Sequence, residues 1–351
     1  MTIYFVDIEP DEQPLFAEHL AAHDLIAVRR LSEVGPDAEV VSVFLGEKVD
    51  DAFLSAHPRL RLIATRSTSV DHLDTAACSA RDVAICNVPG YSEITAAEHT
   101  FALLLALTRR LREVMALPRG AGFSYEATRG VELHGRTLGI IGLGHVGRRV
   151  AELARAFGMR VLAHDARSSG DSPRAEAEGF VTLETLLGEA DIISLHANLS
   201  PATYHIISRA TLAQTRRGVL IINTARGALI DTEALRDALE SGQVGGAGLD
   251  VLQDERLLRQ PIEKVISDGI LQHLRSDELA QEARDADRLR ELEQLMLGDA
   301  MLSRANVVFT PHIAFNSVES MRRLAFATCE NIAAFVAGNP IRLVTSSTAA
   351  Q

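Results

Sequence analysis

Residues 137–147 read TLGIIGLGHVG, an apolar run that leads into three glycines spaced as GxGxxG. The helical pattern RRVAELARAF follows directly at 148–157, so the segment predicts a strand, a tight turn and a helix. In such a unit the first glycine permits the turn, the second lets the backbone approach a pyrophosphate, and the third lets helix and strand pack closely. Backbone N–H groups at the helix N-terminus would bind the phosphates. The residues assigned to this glycine loop are Gly142, Gly144, His145, Val146 and Gly147.

An acidic residue closes the next predicted strand, RVLAH at 160–164. Asp165 lies eighteen residues after Gly147 (165 − 147), which is where a carboxylate is expected to meet the ribose hydroxyls of a dinucleotide. A carboxylate at this point repels a 2′-phosphate, so the sequence predicts NAD rather than NADP as the cofactor. Arg167, two residues further on, leaves acceptance of NADP open.

Short apolar runs alternate with amphipathic runs on both sides of the glycine loop. This alternation is typical of parallel sheets covered by helices, so we predict an α/β fold with two Rossmann-like or flavodoxin-like domains. The predicted strands are 2–6, 40–45, 61–65, 83–86, 137–144, 160–164, 191–195, 218–222 and 245–251. The predicted helices are 11–21, 50–56, 74–81, 95–112, 148–157 and 317–336.

Two stretches do not follow this alternation. The segment 117–130 contains proline and several glycines, which predicts a loop. The segment 254–302 is charged and mostly helical in pattern, and we interpret it as a solvated helical excursion.

Composition limits the classes of partner. The 351 residues carry a formal net charge of −12, which disfavours nucleic acid and anionic membranes but not a small anionic substrate. The three cysteines, Cys78, Cys86 and Cys329, form no CxxC pair or Cys/His cluster, so we predict a reduced, cytoplasmic compartment and no metal site. The first residues lack the features of a signal peptide, and no apolar stretch approaches the roughly 20 residues of a membrane span.

Three further motifs follow the glycine loop in order. Residues 223–227 read NTARG, residues 248–251 read GLDV with Glu255 five residues past its Asp (255 − 250), and residues 310–313 read TPHI. In this order and spacing, over nearly its whole length, the chain resembles the D-2-hydroxyacid dehydrogenases. The resemblance implies an NAD-dependent enzyme that interconverts a small 2-oxo acid and its D-2-hydroxy acid. Phe315 in PHIAFNS resembles the D-lactate dehydrogenase-like branch.

Three side chains suit this chemistry, in which hydride reaches a carbonyl carbon and a proton reaches its oxygen. Arg226 can grip the substrate carboxylate with two parallel N–H bonds or polarise the carbonyl. His312 can donate the proton, because histidine is the residue type most often suited to proton transfer near neutral pH. Glu255 would accept a hydrogen bond from that imidazole, fix its tautomer and favour its protonated form. Singly, each is also compatible with an ordinary loop or strand-end residue, whereas the order of the motifs favours the catalytic interpretation.

The resemblance implies further contacts to cofactor and substrate. Asp250 should hold the nicotinamide carboxamide. Further cofactor contacts are expected at Ala197, Asn198, Thr203, Thr224 and Ala225. The loop RSTSVD at 66–71 resembles the family's substrate-carboxylate loop, and the predicted substrate contacts are Thr68, Ser69, Val70, Tyr91 and Arg226.

Two positions in the amino-terminal half need comment. The family usually has glycine where this chain has Ser69, and serine is unfavourable there if the position needs a positive φ. Tyr91 projects into the pocket or serves as interdomain packing, and the sequence leaves both open. His99, in AEHT at 97–100, is interpreted as structural.

The resemblance also implies a domain arrangement. Residues 1–94 with 314–351 should form the substrate domain and residues 95–313 the NAD domain, with the active-site cleft between them. The helix 95–112 is more apolar than a solvent-facing helix should be, and family members typically dimerise through this part. We therefore expect a homodimer.

Two other functions use the same frame. Formate dehydrogenase pairs its histidine with Gln, whereas Glu255 supports a proton-transferring histidine here. An NAD-sensing, non-catalytic partner protein, like the corepressors of this family, retains the same Arg/Glu/His set, so the residues leave that alternative open. Turnover of a 2-oxo acid with NADH discriminates between an enzyme and such a sensor. The side chain of the substrate is not specified by these motifs.

Overall fold

The computed structural model describes residues 1–10, 12–45, 47–118, 125–126, 128–165, 179–253, 255, 297–298 and 300–344. Arg167, most of the charged segment 254–302 and part of the predicted loop 117–130 lie outside the described residues. The chain divides into two compact units, Met1–Ser92 with Asn316–Gln351 (unit 1) and Glu93–Phe315 (unit 2). That unit 1 is the substrate domain stays a prediction.

Unit 1 contains a parallel sheet. Its strands are β1 (Thr2–Val6), β2 (Asp24–Val28), β3 (Val40–Val43), β4 (Leu62–Thr65) and β5 (Ala84–Cys86), in the order β2–β1–β3–β4–β5. The helices between them are α1 (Gln13–His19), α2 (Asp51–Ala56) and α3 (Thr75–Ala80). β2 is not predicted by the sequence pattern, because this edge strand has no fully buried side chain and so shows no continuous buried run.

Unit 2 contains a second parallel sheet. Its strands are β6 (Thr137–Ile141), β7 (Arg160–His164), β8 (Ile192–Leu195), β9 (Val219–Asn223), β10 (Val244–Leu249) and β11 (Val307–Phe309), in the order β11–β10–β9–β8–β6–β7. Its helices are α4 (Glu93–Thr108), α5 (Leu111–Met115), α6 (His145–Ala156), α7 (Leu183–Glu189), α8 (Arg209–Leu212) and α9 (Thr232–Ser241). The chain then enters α10 (Val318–Val336) in unit 1.

Both faces of the unit 1 sheet are buried. Successive residues of β1 alternate between two cores, with Ile3 and Phe5 in the core beneath α1 and α10, and Tyr4 and Val6 in the core on the other face. Burial on both faces explains why these strands read as continuous apolar runs rather than as an alternating pattern.

The strand order of unit 2 reverses direction between β6 and β8. From β6 the chain first extends the sheet to β7, and then crosses back to β8 and continues outward to β11. In open α/β sheets ligands bind at the carboxyl ends of the strands, where the order reverses in this way. The topology therefore points to the ends of β6 and β8 as the place for a ligand.

The long apolar helix is shorter than predicted. It ends at Thr108, since Arg110 adopts a left-handed conformation (φ 52°), and α5 begins at Leu111. The buried side chains of α4, including Phe101 and Leu104, pack in the core of unit 2 against α6 and the sheet. Packing inside its own unit therefore explains most of its apolar character. No helix among the described residues is long and apolar enough to span a membrane.

Candidate active site

Every strand of the unit 2 sheet leads into a segment predicted to belong to the site. After β6, β7, β8, β9, β10 and β11 come, in turn, the glycine loop, Asp165, Ala197 with Asn198, the loop 224–227, Asp250, and the loop 310–314. The carboxyl ends of parallel strands share one edge of the sheet. The fold therefore gathers segments that are far apart in the chain.

The three glycines of the loop have different surroundings. A Cβ on Gly142, whose φ is +96°, would lie 2.4 Å from the backbone nitrogen of Ala197, so the turn sits against the segment after β8. A Cβ on Gly147 would lie 2.2 Å from the carbonyl oxygen of Gly142, which explains the close packing of α6 on the turn. A Cβ on Gly144 would have no atom within 4 Å, so the backbone at the start of α6 borders open space.

These features fit a bound dinucleotide. Open space at Gly144 meets the amide-rich N-terminus of the twelve-residue helix α6, the environment that a pyrophosphate requires. Asp165 directly follows the last residue of β7, and one of its carboxylate oxygens accepts a hydrogen bond from the Leu143 N–H at 3.1 Å. The carboxylate is thus tied to the glycine loop. The side chain of His145 is largely exposed and lies 3.3 Å from Glu93, so His145 would serve the site through its backbone.

The segment after β8 forms a closed turn. Thr203 Oγ1 donates to the carbonyl oxygen of Asn198 at 2.7 Å and accepts from the N–H of Ser200 at 2.8 Å. Just before this turn, His196 Nε2 lies 2.8 Å from Ser194 Oγ. Burial lowers the pKa of His196 to about 3, so this imidazole is neutral at physiological pH. A neutral ring beside the glycine loop adds no charge to the phosphate site.

The loop that carries Arg226 is held by the side chain of Asn223. Asn223 Oδ1 accepts from the Ala225 N–H at 3.0 Å, and Asn223 Nδ2 donates to the Arg226 carbonyl at 2.9 Å. A Cβ on Gly227 would lie 2.0 Å from the Leu252 carbonyl carbon, so only glycine permits this approach to the segment after β10. The Arg226 loop is therefore packed against the turn that leads to Glu255.

Asp250 holds the loop 310–314. Its buried carboxylate accepts hydrogen bonds from Thr310 Oγ1 at 2.6 Å, from the Ile313 N–H at 2.9 Å and from the Ala314 N–H at 2.9 Å. His99 Nε2 lies 3.5 Å from the same carboxylate and 2.8 Å from Thr310 Oγ1. Burial alone would raise the pKa of Asp250, but these hydrogen bonds outweigh burial and hold the pKa below its ordinary value.

His312 and Glu255 are in direct contact. His312 Nδ1 lies 2.5 Å from Glu255 Oε1, and both side chains are mostly buried. The backbone of His312 is left-handed (φ 55°), and its N–H donates to the Asp250 carbonyl at 2.7 Å. The ring of Phe315 meets the imidazole edge-on, with centroids 6.3 Å apart. The carboxylate occupies one imidazole nitrogen, so Nε2 is the nitrogen able to exchange a proton with a substrate.

The predicted substrate loop of unit 1 is held by its own polar groups. Thr68 Oγ1 donates to the Val88 carbonyl at 3.1 Å, and Asn87 Nδ2 donates to the Thr68 carbonyl at 2.7 Å. The described non-glycine residues with positive φ do not include Ser69, so its side chain brings no backbone strain. Tyr91 is buried, and its carbonyl accepts from Arg323 Nε at 2.9 Å.

Three residues hold these loops: His99, Asn223 and Thr310. Sequence reasoning interpreted His99 as structural without giving it a partner, and assigned no role to Asn223 or Thr310. Asn223 and Thr310 stand inside the quoted motifs NTARG and TPHI, so their position beside Arg226 and His312 was a usable signal. The contact of His99 with Thr310 spans 211 positions of the chain and has no local signature.

Comparisons with known proteins agree with this geometry. A family model described as D-isomer specific 2-hydroxyacid dehydrogenase, NAD binding domain, matches residues 101–314. The chain is 32% identical to 2-hydroxyacid dehydrogenase homolog 1 of Schizosaccharomyces pombe, with 97% of each chain covered. It is also 32% identical to a hydroxypyruvate reductase of Thermotoga maritima, with 92% of this chain and 90% of that protein covered.

A solved structure gives the same result. The D-lactate dehydrogenase of Aquifex aeolicus, complexed with NAD and lactic acid, superimposes with a TM-score of 0.77 at 32% identity, covering 98% of this chain and 100% of that one. The predicted family, the α/β fold with two parallel sheets, and NAD as cofactor are confirmed. The chain therefore belongs to the D-isomer specific 2-hydroxyacid dehydrogenases, and it is an NAD-dependent oxidoreductase.

Proposed function

We propose that the enzyme interconverts a small 2-oxo acid and its D-2-hydroxy acid, with His312 and Glu255 transferring the proton and Arg226 binding the substrate carboxylate. The observation that carries this proposal is the 2.5 Å contact between His312 Nδ1 and Glu255 Oε1. A carboxylate at Nδ1 fixes the ring orientation and leaves Nε2 as the nitrogen that can exchange a proton. Such a ring suits a general acid in reduction and, once deprotonated, a general base in oxidation.

The other predicted site residues divide the remaining tasks. When bound, NADH supplies the hydride. The glycine loop and Asp165 would hold the pyrophosphate and the adenosine ribose, with Ala197, Asn198, Thr203, Thr224 and Ala225 as further contacts. Arg226 would bind the carboxylate through its planar guanidinium and so orient the carbonyl. The backbone N–H groups of Thr68, Ser69 and Val70 would bind the same carboxylate, and Tyr91 would limit the substrate side chain.

Asp250 was expected to hold the nicotinamide carboxamide, and that contact stays a prediction. The structure supports a second role more directly, because both carboxylate oxygens accept hydrogen bonds from the loop 310–314. Asp250 thus fixes the loop that presents His312. A carboxylate with its pKa held below the ordinary value stays ionised throughout the working pH range, so this anchor is not lost near neutrality.

A substrate panel tests the proposed reaction. Pyruvate, glyoxylate, hydroxypyruvate, phenylpyruvate and 2-oxoisocaproate with NADH cover small, polar, aromatic and branched side chains. Phe315 resembles the D-lactate dehydrogenase-like branch, and the chain is similar to a D-lactate dehydrogenase solved with NAD and lactic acid. We therefore propose pyruvate or a close relative as the preferred oxo acid. If the enzyme turns over none of these acids, the proposed reaction is wrong and an NAD-sensing protein is the better interpretation.

Two variants separate the roles of His312 and Arg226. His312→Ala should lower kcat roughly 10²–10⁴-fold, the usual effect of a lost general acid, and leave the NADH affinity intact. Arg226→Lys keeps the charge but not the planar fork, so it should raise KM for the oxo acid and also lower kcat. Steady-state kinetics and NADH fluorescence titration measure both. Near-normal turnover in His312→Ala would exclude it as the proton donor.

We further propose that the enzyme is a cytoplasmic homodimer. Support for the dimer comes from a run of exposed apolar side chains at α5, where Leu111 is 43%, Met115 82% and Leu117 51% exposed. Support for the compartment comes from the cysteines, since Cys78, Cys86 and Cys329 are all free and buried. Light scattering of the eluting protein should give twice the chain mass, and Met115→Glu should shift it toward the monomer.

A further inference from the structure

Helix α4 packs against strand β10 at regularly spaced positions. A Cβ on Gly246 would lie 3.4 Å from Leu107, and a Cβ on Gly248 would lie 3.1 Å from the Cβ of Leu103. Asp250 lies two residues after Gly248, just past the end of β10. His99 lies four residues before Leu103 in α4, and its Nε2 is 3.5 Å from the Asp250 carboxylate.

This correspondence has a simple geometric cause. Four residues of helix rise about 6 Å, and two residues of parallel strand rise about 6.6 Å. Every fourth residue of α4 therefore lies opposite every second residue of β10. Without side chains at Gly246 and Gly248, the helix lies close enough to the sheet for His99 to reach the strand end. The glycines of β10 thus determine how deeply α4 sits and, with it, where His99 is placed.

The direction of each hydrogen bond follows from counting hydrogens. The single hydroxyl hydrogen of Thr310 points to the Asp250 carboxylate, which can only accept. Thr310 Oγ1 must therefore accept from His99 Nε2, at 2.8 Å, so that nitrogen carries a hydrogen. His99 completes a chain of donors that ends on the carboxylate beneath His312.

The next residue of the helix reaches the other catalytic loop. Thr100 is buried, and its hydroxyl donates to the Ala96 carbonyl at 2.8 Å. Its oxygen therefore accepts from Thr224 Oγ1, at 2.9 Å, in the loop that carries Arg226. Two consecutive residues of α4 are thus bonded to the two loops that flank Asp250.

We propose that His99 is a positioning residue for His312, acting through Thr310 and Asp250, and that Thr100 is a positioning residue for Arg226, acting through Thr224. The proposal rests on the catalytic roles proposed above for His312 and Arg226. Helix α4 thereby fixes the positions of the proton donor His312 and the carboxylate-binding Arg226 relative to each other. Neither α4 side chain needs to touch the substrate.

Variants of His99 test the first half. His99→Leu removes the donor and should lower kcat roughly 10–100-fold, the scale of a small misplacement of a catalytic group, with the NADH dissociation constant unchanged. His99→Gln places an amide N–H near the position of Nε2 and should recover most of the loss. Glu98→Gln, at the exposed neighbouring position, is the matched control and should behave as wild type.

A double variant separates positioning from general damage. If His99 acts through His312, then His99→Leu should have no further effect on kcat in a His312→Ala background. An equal loss in both backgrounds would overturn the proposal, as would a wild-type kcat in His99→Leu while His312→Ala is impaired. A wild-type kcat in His312→Ala would instead refute the proposed proton donor.

Thr100 gives an independent measurement. Thr100→Val keeps the shape but loses the acceptor for Thr224, and should raise KM for the oxo acid several-fold, about 3- to 10-fold, with a smaller change in kcat. Thr100→Ser keeps the hydroxyl and should restore KM. An unchanged KM in Thr100→Val, together with a raised KM in Arg226→Lys, would overturn the second half of the proposal.

Discussion

Glu255 accepts a hydrogen bond from the main chain and is bonded to His312 at the same time. Its Oε1 lies 2.5 Å from His312 Nδ1, and its Oε2 accepts from the Leu252 N–H at 3.3 Å. The carboxylate is thus held by the turn after β10 while it orients a ring on the loop after β11. This arrangement joins two loops at the proposed proton donor.

Replacing Glu255 should slow the reaction. Glu255→Gln keeps the shape, but it replaces a carboxylate that can only accept from His312 Nδ1 by an amide that no longer fixes the ring. The kcat should therefore fall roughly 10–100-fold, the scale of a small misplacement of a catalytic group. Glu189→Gln, at a surface ion pair with Arg160, is the control. An unchanged kcat in Glu255→Gln would speak against the pairing.

Asp165 should determine the choice of cofactor. The wild type should prefer NADH over NADPH in kcat/KM, because the carboxylate repels a 2′-phosphate. Asp165→Asn removes the charge but retains an oxygen for the Leu143 N–H, so it should narrow the preference at little cost to NADH. Asp165→Ala loses that hydrogen bond too and should weaken both cofactors. If the wild type prefers NADPH, Asp165 does not determine the choice of cofactor in this way.

Two glycines of the loop should respond in opposite ways to alanine. At Gly144 a methyl group meets nothing within 4 Å and φ is −75°, so Gly144→Ala should retain or raise stability, by up to about 1 kcal/mol, while weakening NADH binding. At Gly147 the methyl would lie 2.2 Å from a backbone oxygen, so Gly147→Ala should lower the free energy of unfolding. Urea unfolding and NADH titration of both variants check this. Equal effects of the two changes would contradict the geometry.

The predictable part of the site is the part with local causes. The roles of Gly142 and Gly147 follow from a strand, a turn and a helix that are contiguous in sequence, and the structure shows the close contacts expected. The pair of His312 and Glu255 is separated by 57 residues, and only the ordered motifs of a family made it predictable. The contact of His99 with Thr310 depends on the depth of a helix on a sheet, which no local pattern encodes.

The same limit applies to the fold. The strand β2 lies at a sheet edge with its side chains partly exposed, and β11 has three residues, so neither shows the buried run that marks β6 or β8. The predicted helix 95–112 was too long because Arg110 leaves the helical conformation, which its charge and length do not reveal. From the sequence, Ser69 was unfavourable only if its position needed a positive φ. The structure shows that φ is not positive at Ser69, so the serine is compatible with the loop.

His196 should make the protein less stable in acid. Burial lowers its folded-state pKa from 6.5 to about 3, so the unfolded chain takes up this proton first as pH falls. The free energy of unfolding should therefore decrease from about pH 6.5 downward, by on the order of 1–2 kcal/mol between pH 7 and pH 5. His196→Gln retains a partner for Ser194 without titrating, and should show a smaller decrease. Urea titrations at the two pH values measure the difference, and equal slopes would exclude this source of acid sensitivity.

The left-handed backbone of His312 implies a trade-off between activity and stability. A residue with a Cβ in this conformation is less stable than glycine by roughly 1–2 kcal/mol, and the bonds from Asp250 to the loop hold it there. His312→Gly and His312→Ala should lower kcat to a similar extent, but the glycine variant should unfold at higher temperature because it relieves the strained dihedral angle. The fold thus maintains an unfavourable backbone at a position where glycine would be more stable but would remove the proposed proton donor.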